Sequence, residues 1–218
     1  MADEGKLTLY SYWRSSCAHR TRIVLNLKGL KYEYKAVNLL KGEQSDPEYE
    51  KINPMKYVPA LLDGDTLIAD SFAIALYLEE KYPEKPLLPQ DLKLKALNLQ
   101  IASIVCSSIQ PLHNLVVLNY IEQKLGPEEK NTWFINLLNR GLAALEKLLK
   151  GCAGKYATGD EIRLADPFLA SQIYVAIRRM QMDISSYPTL SRLYQVYEQI
   201  PAFQAALPEN QPDAPSSS

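Results

Sequence analysis

The chain has 218 residues, 47% of them hydrophobic and 22% charged, and Lys+Arg 24 against Asp+Glu 25 leaves a net charge of −1. These are ordinary globular proportions for one large domain or two small ones, and they exclude a disulfide-stapled miniprotein, a disordered chain and a globally basic nucleic-acid binder. No apolar run approaches the roughly 18 to 20 residues of a membrane span, and the opening Met1–Lys6 has no apolar signal region, so a cytoplasmic protein with no membrane or nucleic-acid partner is expected.

Lys6 to Tyr12 alternates apolar and polar residues as a half-buried strand does. Ser15 and Ser16 then offer a helix cap before Ile23, Val24 and Leu27 recur at helical spacing and Gly29 stops the helix. Tyr32 to Asn38 is a second strand, and Asp46-Pro47 starts a short helix that ends near Asn53-Pro54. Ala60 to Leu62 and Thr66 to Ile68 flank Asp63-Gly64, which suits a tight hairpin turn. Asp70-Ser71 caps a helix ending near Tyr82. The order β, α, β, α, β, β, α predicts a mixed sheet of thioredoxin-like arrangement, because a helical crossover joins parallel strands and a hairpin joins antiparallel ones.

Pro83, Pro86 and Pro89 stiffen the connection that follows, so the division expected is residues 1–83, a linker at 84–91, and an all-helical domain at 92–218. One helical pattern runs from Leu92 to about Leu125, another from Pro127 to Lys150, a third from about Leu164 to Met180, with shorter ones near Leu190 and Ala202. Pro208 to Ser218 is polar and proline-rich and is expected to be loosely held. Cys17, Cys106 and Cys152 are widely spaced, and with only His19 and His113 beside them no zinc-ligand spacing occurs; reduced thiols and no metal are expected.

Three places could carry chemistry. Ser15, Ser16 and Cys17 stand at the start of the first helix, where unpaired N–H groups and the helix dipole stabilise an anion. Val58-Pro59 precedes a strand, a place where a cis proline turns backbone groups toward an extended peptide. Asp70-Ser71 could hold a carboxylate on backbone N–H groups while Asp70 faces an ammonium. Each alone is equally a plain cap or a strand-start proline. Together they describe a reader of a thiol, a short backbone and an amino-acid head group, which are the parts of glutathione.

The residues SSCAHRTRIVL at 15–25, NLLKGEQ at 38–44, INPMKYVPALLDG at 52–64, DSFAIALYLEEKYP at 70–83, SIQPLHNL at 108–115 and GDEIRLAD at 159–166 resemble the zeta-class glutathione transferases, plant members above all. The resemblance covers nearly the whole chain. It implies the glutathione transferase fold, an α/β thioredoxin-like domain followed by an all-α domain, and a homodimer. By that resemblance the Ser15 hydroxyl bonds the glutathione sulfur and favours its thiolate, with Ser16 and Cys17 completing the motif. Gln44 meets the glycine end, Val58 and Pro59 the cysteinyl backbone, and Asp70 with Ser71 the γ-glutamyl group. Gln110 and Asn114 reach the cofactor from the helical domain, while His113 between them reads as a surface or interdomain residue. Arg14, Arg20 and Arg178 are the cations offered to an anionic substrate, each alternatively a surface charge or a structural ion pair.

The reaction so implied is cis to trans isomerisation of maleylacetoacetate to fumarylacetoacetate in tyrosine and phenylalanine breakdown. Thiolate adds to the conjugated alkene, the resulting enolate rotates about a single bond, and the thiolate leaves, so glutathione is a cofactor that is not consumed. Accessory transfer to small halogenated acids goes with the class. The alternatives are a detoxifying transferase or peroxidase that consumes glutathione, and a non-catalytic transferase-like binding protein. Three departures from the pattern matter. His19 stands where many relatives have a bulky aromatic, implying a more polar flank. Arg163 occupies a cap position usually held by a hydroxyl, three residues before the capping-box acid Asp166, which Pro167 follows directly, implying a weaker helix start. Ser171 replaces a proline common in relatives. Finally, residues 11–41 carry a local charge of +6 and residues 42–91 one of −7, so the first helix is basic where an anion would arrive.

Overall fold

The computed structural model describes residues 7–215. Lys6 of the predicted first strand and Ser216 to Ser218 of the predicted loose tail lie outside the described residues. Contacts divide the chain into two units, one formed by the chain up to Pro86 together with the segment from Gln199 onward, the other by Leu87–Glu198.

The first unit is built on strands β1 (Leu7–Ser11), β2 (Tyr32–Ala36), β3 (Ala60–Asp63) and β4 (Thr66–Ala69) in the order β2-β1-β3-β4. β1 pairs parallel with β2 and antiparallel with β3, and β3 pairs antiparallel with β4, as the crossover and hairpin require. Helices α1 (Ser16–Lys28) and α3 (Ser71–Lys81) supply Ile23, Val24, Leu25, Ile74, Ala75 and Leu78 to the same core as Leu9 and Leu61 of the sheet. A second apolar cluster joins Tyr12, Val37, Tyr49 and Val58, with Trp13 and Ile52 packed on it; Tyr49 and Ile52 come from helix α2 (Pro47–Ile52). Tyr12 and Trp13 bring the loop that leads into α1 into this cluster.

Of the seven cations in residues 11–41, Arg14, Lys31, Lys35 and Lys41 are exposed and three are internal. Lys28 is buried in an ion pair with Glu79 at 2.7 Å, and Arg20 and Arg22 are almost wholly buried. Arg22 donates to Ser11 Oγ, to the Tyr12 and Trp13 carbonyls and twice to the Ala206 carbonyl, at 3.0 to 3.5 Å. A guanidinium has five donors in a rigid fork, so one buried arginine can satisfy several carbonyls that would otherwise lose their hydration. These bonds, with Asn26 Nδ2 donating to the Ala202 carbonyl, explain why the segment after Gln199 belongs with the sheet rather than with the helical residues 92–198.

The tail from Pro208 to Pro215 departs from the expectation of loose tethering. Gln211 donates to the Ala205 and Leu207 carbonyls, and Asp213 accepts from the Trp13 N–H at 3.0 Å and the Tyr34 hydroxyl at 2.6 Å. Its polar composition marks hydrogen-bonding groups that are used.

The second unit is helical: α4 (Leu92–Ser103), α5 (Leu115–Leu125), α6 (Pro127–Leu149), α7 (Ala165–Tyr174) and α8 (Pro188–Tyr197). Two departures from uniform helix occur. Between α4 and α5 a π turn at Ile104–Ile109 and a 3₁₀ turn at Gln110–His113 replace the single predicted helix, because Pro111 has no N–H to continue the ladder, and Asn114 recaps the chain for α5. A second π turn at Val175–Arg179 ends the run that starts with α7. Contrary to the sequence expectation, Leu92–Leu125 is long and apolar enough by length and composition to cross a membrane. Its buried face is nevertheless spent inside this unit: Asn98, Ile101, Ala102, Val105 and Ile109 are all covered, and Ile109 lies so close to Gly141 of α6 that an added Cβ would sit 2.7 Å from it.

The predicted weak start of α7 is repaired from a distance. No side chain caps Leu164 locally, but Asn98 Oδ1 of α4 accepts the Ala165 N–H at 3.0 Å, and buried Asp166 accepts from the N–H groups of Arg163 and Ala157 and from the Tyr197 hydroxyl. Burial pushes the Asp166 carboxyl up to about 6, against the pull of the Tyr197 hydroxyl and the backbone donors. Pro167 is third in α7, where its missing N–H would have had no intrahelical partner. Ser171 Oγ turns to the Phe168 carbonyl at 3.0 Å. α8 is likewise capped by Glu146 of α6, whose carboxylate accepts the Thr189 and Leu190 N–H groups.

Candidate active site

The site is built where β1 hands over to α1. Ser15 is the N-cap of α1, in extended backbone, and its Oγ accepts the Ala18 N–H at 3.2 Å. That bond uses an acceptor lone pair and leaves the hydroxyl proton to donate elsewhere. Ser15, Ser16 and Cys17 are half-buried, and the first turn of α1 holds no acidic residue, so the positive end of the helix is open to an anion.

Asp70 opens α3 from φ 81°, a left-handed conformation that costs a non-glycine residue about 1–3 kcal/mol. Its Oδ1 accepts the Phe72 and Ala73 N–H groups at 2.8 and 3.0 Å, which holds that backbone in place. Ser71, buried beside it, accepts from Arg20 Nε at 2.9 Å, and its hydroxyl proton is thereby directed to another acceptor, as in Ser15.

Arg20 joins the two helix starts. Besides its bond to Ser71, its Nη2 donates to Cys17 Sγ at 2.8 Å. The sequence reading offered Arg20 to substrate; with 2% exposure and a guanidinium already holding Cys17 and Ser71, it is a bridge between two parts of the site instead. Arg14 is exposed next to Ser15 and keeps its cation at the surface.

Val58 is buried ahead of β3, and the Val58–Pro59 peptide is cis. The turn before it is fixed by Tyr49 Oη and Asn53 Nδ2, which both donate to the Tyr57 carbonyl. Gln44 lies in the 3₁₀ turn Glu43–Ser45, and its Oε1 is buried without a hydrogen-bond partner. Gln110, Asn114 and Arg178 belong to the second unit: Asn114 caps α5, and Arg178, exposed, donates to Glu198 Oε1 at 3.1 Å. His113 is not at the surface; it is buried, shares a hydrogen bond with Gln172 and stacks on Phe134 with ring centroids 4.8 Å apart.

His19 is buried rather than open to solvent. Burial, and then the charges of Arg22 and Arg20, hold its imidazole well below 6.5, so it stays neutral. A group whose folded pKa is lowered contributes its full stability above the unfolded value and loses it as pH falls, because only the unfolded chain then takes up the proton. The buried Asp166 carboxyl, raised to about 6, acts in the opposite direction, so the His19 contribution is read as a difference: in chemical denaturation a His19→Phe variant should lose less stability than wild type as pH falls below about 6.5. Equal losses in both proteins would remove His19 from this role.

Comparison with known proteins gives a consistent picture. The glutathione S-transferase N-terminal domain matches residues 5–80, and the glutathione S-transferase C-terminal domain matches residues 111–209. Glutathione S-transferase Z1 of Arabidopsis thaliana is 63% identical over 219 residues, covering 100% of this chain and 99% of that protein. Maleylacetoacetate isomerase of Dictyostelium discoideum is 46% identical over 214 residues, 97% of each chain. The crystal structure of maleylacetoacetate isomerase from Anaeromyxobacter dehalogenans, with glutathione bound in its active site, superposes with a TM-score of 0.88 at 44% identity, covering 96% of this chain and 98% of that one.

Proposed function

The chain belongs to the zeta class of the glutathione S-transferases, and on that premise we propose that it catalyses the glutathione-dependent cis to trans isomerisation of maleylacetoacetate to fumarylacetoacetate. The observation that carries this reading is the Arg20 bridge, which links a hydroxyl-and-thiol helix start to a carboxylate-binding helix start within one unit.

The residues present suit glutathione. The γ-glutamyl carboxylate meets the Ser71 hydroxyl and the start of α3, and the ammonium meets Asp70, whose carboxylate is exposed. Gln44 brings a carboxamide whose oxygen has no internal bond, suited to the amide N–H of the glycine end. Val58 offers backbone groups to the cysteinyl unit. The Ser15 hydroxyl donates to the sulfur, and a donor to the charged form lowers a thiol's pKa. When bound, glutathione supplies the thiolate that adds to the conjugated alkene and leaves again after rotation. Around it, Arg14 contributes positive charge beside Ser15 for a dicarboxylate. The roles implied for Gln110, Asn114 and Arg178 rest on the resemblance alone.

The same reading places the protein in the cytoplasm, as a homodimer, in tyrosine and phenylalanine breakdown. It is tested by following maleylacetone with and without glutathione. Conversion that requires glutathione supports it, and glutathione-independent or absent conversion refutes it.

Arg20 has its own expected outcome. Arg20→Met removes the bonds to Ser71 and Cys17 together, and titration calorimetry should show glutathione affinity falling about ten-fold, the equivalent of one net hydrogen bond. Unchanged affinity would reduce Arg20 to a packing residue.

A further inference from the structure

The loop that delivers Ser15 is held on both sides of one residue. The Trp13 N–H donates to Asp213 Oδ2 at 3.0 Å, and the Trp13 carbonyl accepts from Arg22 Nη2 at 3.2 Å. The Tyr12 carbonyl accepts from Arg22 and also from the Ser15 N–H at 3.0 Å, so the turn from Tyr12 to Ser15 is closed on itself and anchored from outside. Both anchors lead to the chain's C-terminal segment. Arg22 is bonded to the Ala206 carbonyl, and Asp213 is braced by the Tyr34 hydroxyl at 2.6 Å on β2. All of these groups lie in one unit.

We propose that Asp213 is a positioning residue for the Ser15 hydroxyl, and that the segment Ala206–Asp213 is a strap which fixes the approach of the Tyr12–Ser15 turn to the bound sulfur. This rests on the reading of Ser15 as the thiolate-stabilising hydroxyl. A hydrogen bond to a thiolate depends steeply on distance and angle, so a loop loosened by a fraction of an ångström loses thiolate stabilisation while the head-group anchor at Asp70 and Ser71 is untouched. The strap acts on the reactive state rather than on binding.

The chain has two tryptophans, Trp13 and Trp133, so a Trp133→Phe background makes Trp13 fluorescence a reporter of this turn. In that background, Asp213→Ala should increase acrylamide quenching of Trp13. In the native background it should lower kcat about ten-fold with the KM for glutathione within about two-fold. The apparent pKa of bound glutathione, followed by thiolate absorbance, should rise with it. Asp213→Asn, which keeps one acceptor, and Tyr34→Phe, which keeps the Trp13 bond, should fall between wild type and Asp213→Ala on all three readouts. Unchanged Trp13 quenching overturns the strap, and so does a loosened Trp13 with kcat and thiolate pKa unchanged. A wild-type protein that neither binds glutathione nor isomerises would instead refute the proposed function; a functional wild type with indifferent variants refutes the strap alone.

Discussion

Ser15→Ala should lower kcat for glutathione-dependent isomerisation by about 10²- to 10³-fold, the effect of removing one oriented donor from a developing or resident anion. Glutathione binding should survive within a few-fold, because the γ-glutamyl anchor at Asp70 and Ser71 is on a different helix start. The pH dependence separates this from a general loss of structure: with the hydroxyl gone, the rate should keep rising with pH toward the ordinary thiol pKa near 8.5. The substitution also removes the cap on Ala18, worth about 1 kcal/mol. Ser15→Thr, which retains hydroxyl and cap, is the control. An active Ser15→Ala beside an inactive Cys17→Ala would reverse the assignment and make the protein thiol-disulfide chemistry's agent instead.

Asp166→Asn should destabilise the protein by about 2–4 kcal/mol in urea unfolding, with loss of fold rather than of a catalytic group. The carboxylate accepts from two backbone N–H groups and the Tyr197 hydroxyl. An amide in its place turns an NH₂ group toward at least one of those donors. The Tyr197 hydroxyl can rotate away, but the Arg163 and Ala157 N–H groups cannot. Tyr197→Phe, which removes only the rotating donor, should cost about 1 kcal/mol. A loss below 1 kcal/mol for Asp166→Asn would mean that Asn98, rather than Asp166, carries the start of α7.

The elements of the first unit were legible because each depends on residues adjacent in sequence. The cap at Ser15, the stop at Gly29, the hairpin at Asp63-Gly64 and the cap at Asp70 are local chemistry, and each stands where that chemistry places it. Two helix starts of the second unit, those of α7 and α8, were less so. Arg163 promised a weak α7, but the missing acceptor comes from Asn98, 67 residues away, and α8 takes its acceptors from Glu146, more than 40 residues back. Capping rules read a window of four residues and cannot see a cap from another helix.

The same limit applies to charge. Summed along residues 11–41 the chain is basic, but Arg20, Arg22 and Lys28 are folded inward, the first two onto hydroxyl, sulfur and carbonyl partners and the third onto Glu79. A linear charge count does not separate a cation that greets a substrate from one that replaces lost hydration inside. Asp213 shows the converse: in a polar, proline-rich tail it looked like solvent-facing chain, yet its carboxylate bonds the loop before Ser15 from 200 positions away in sequence. The Ser15–Cys17 and Asp70–Ser71 ends of the site were readable as motifs. The arginine that joins them was visible only as a residue type.

Glutathione in the proposed reaction is a cofactor that is regenerated, not a reactant that is consumed. Maleylacetone supplied in large molar excess over glutathione, with product geometry followed by proton NMR and thiol counted at the end, tests it most directly. Complete conversion to the trans isomer with all of the thiol recovered is the expected result. Conversion that stops when one equivalent of thiol has been lost to a glutathione adduct would contradict it.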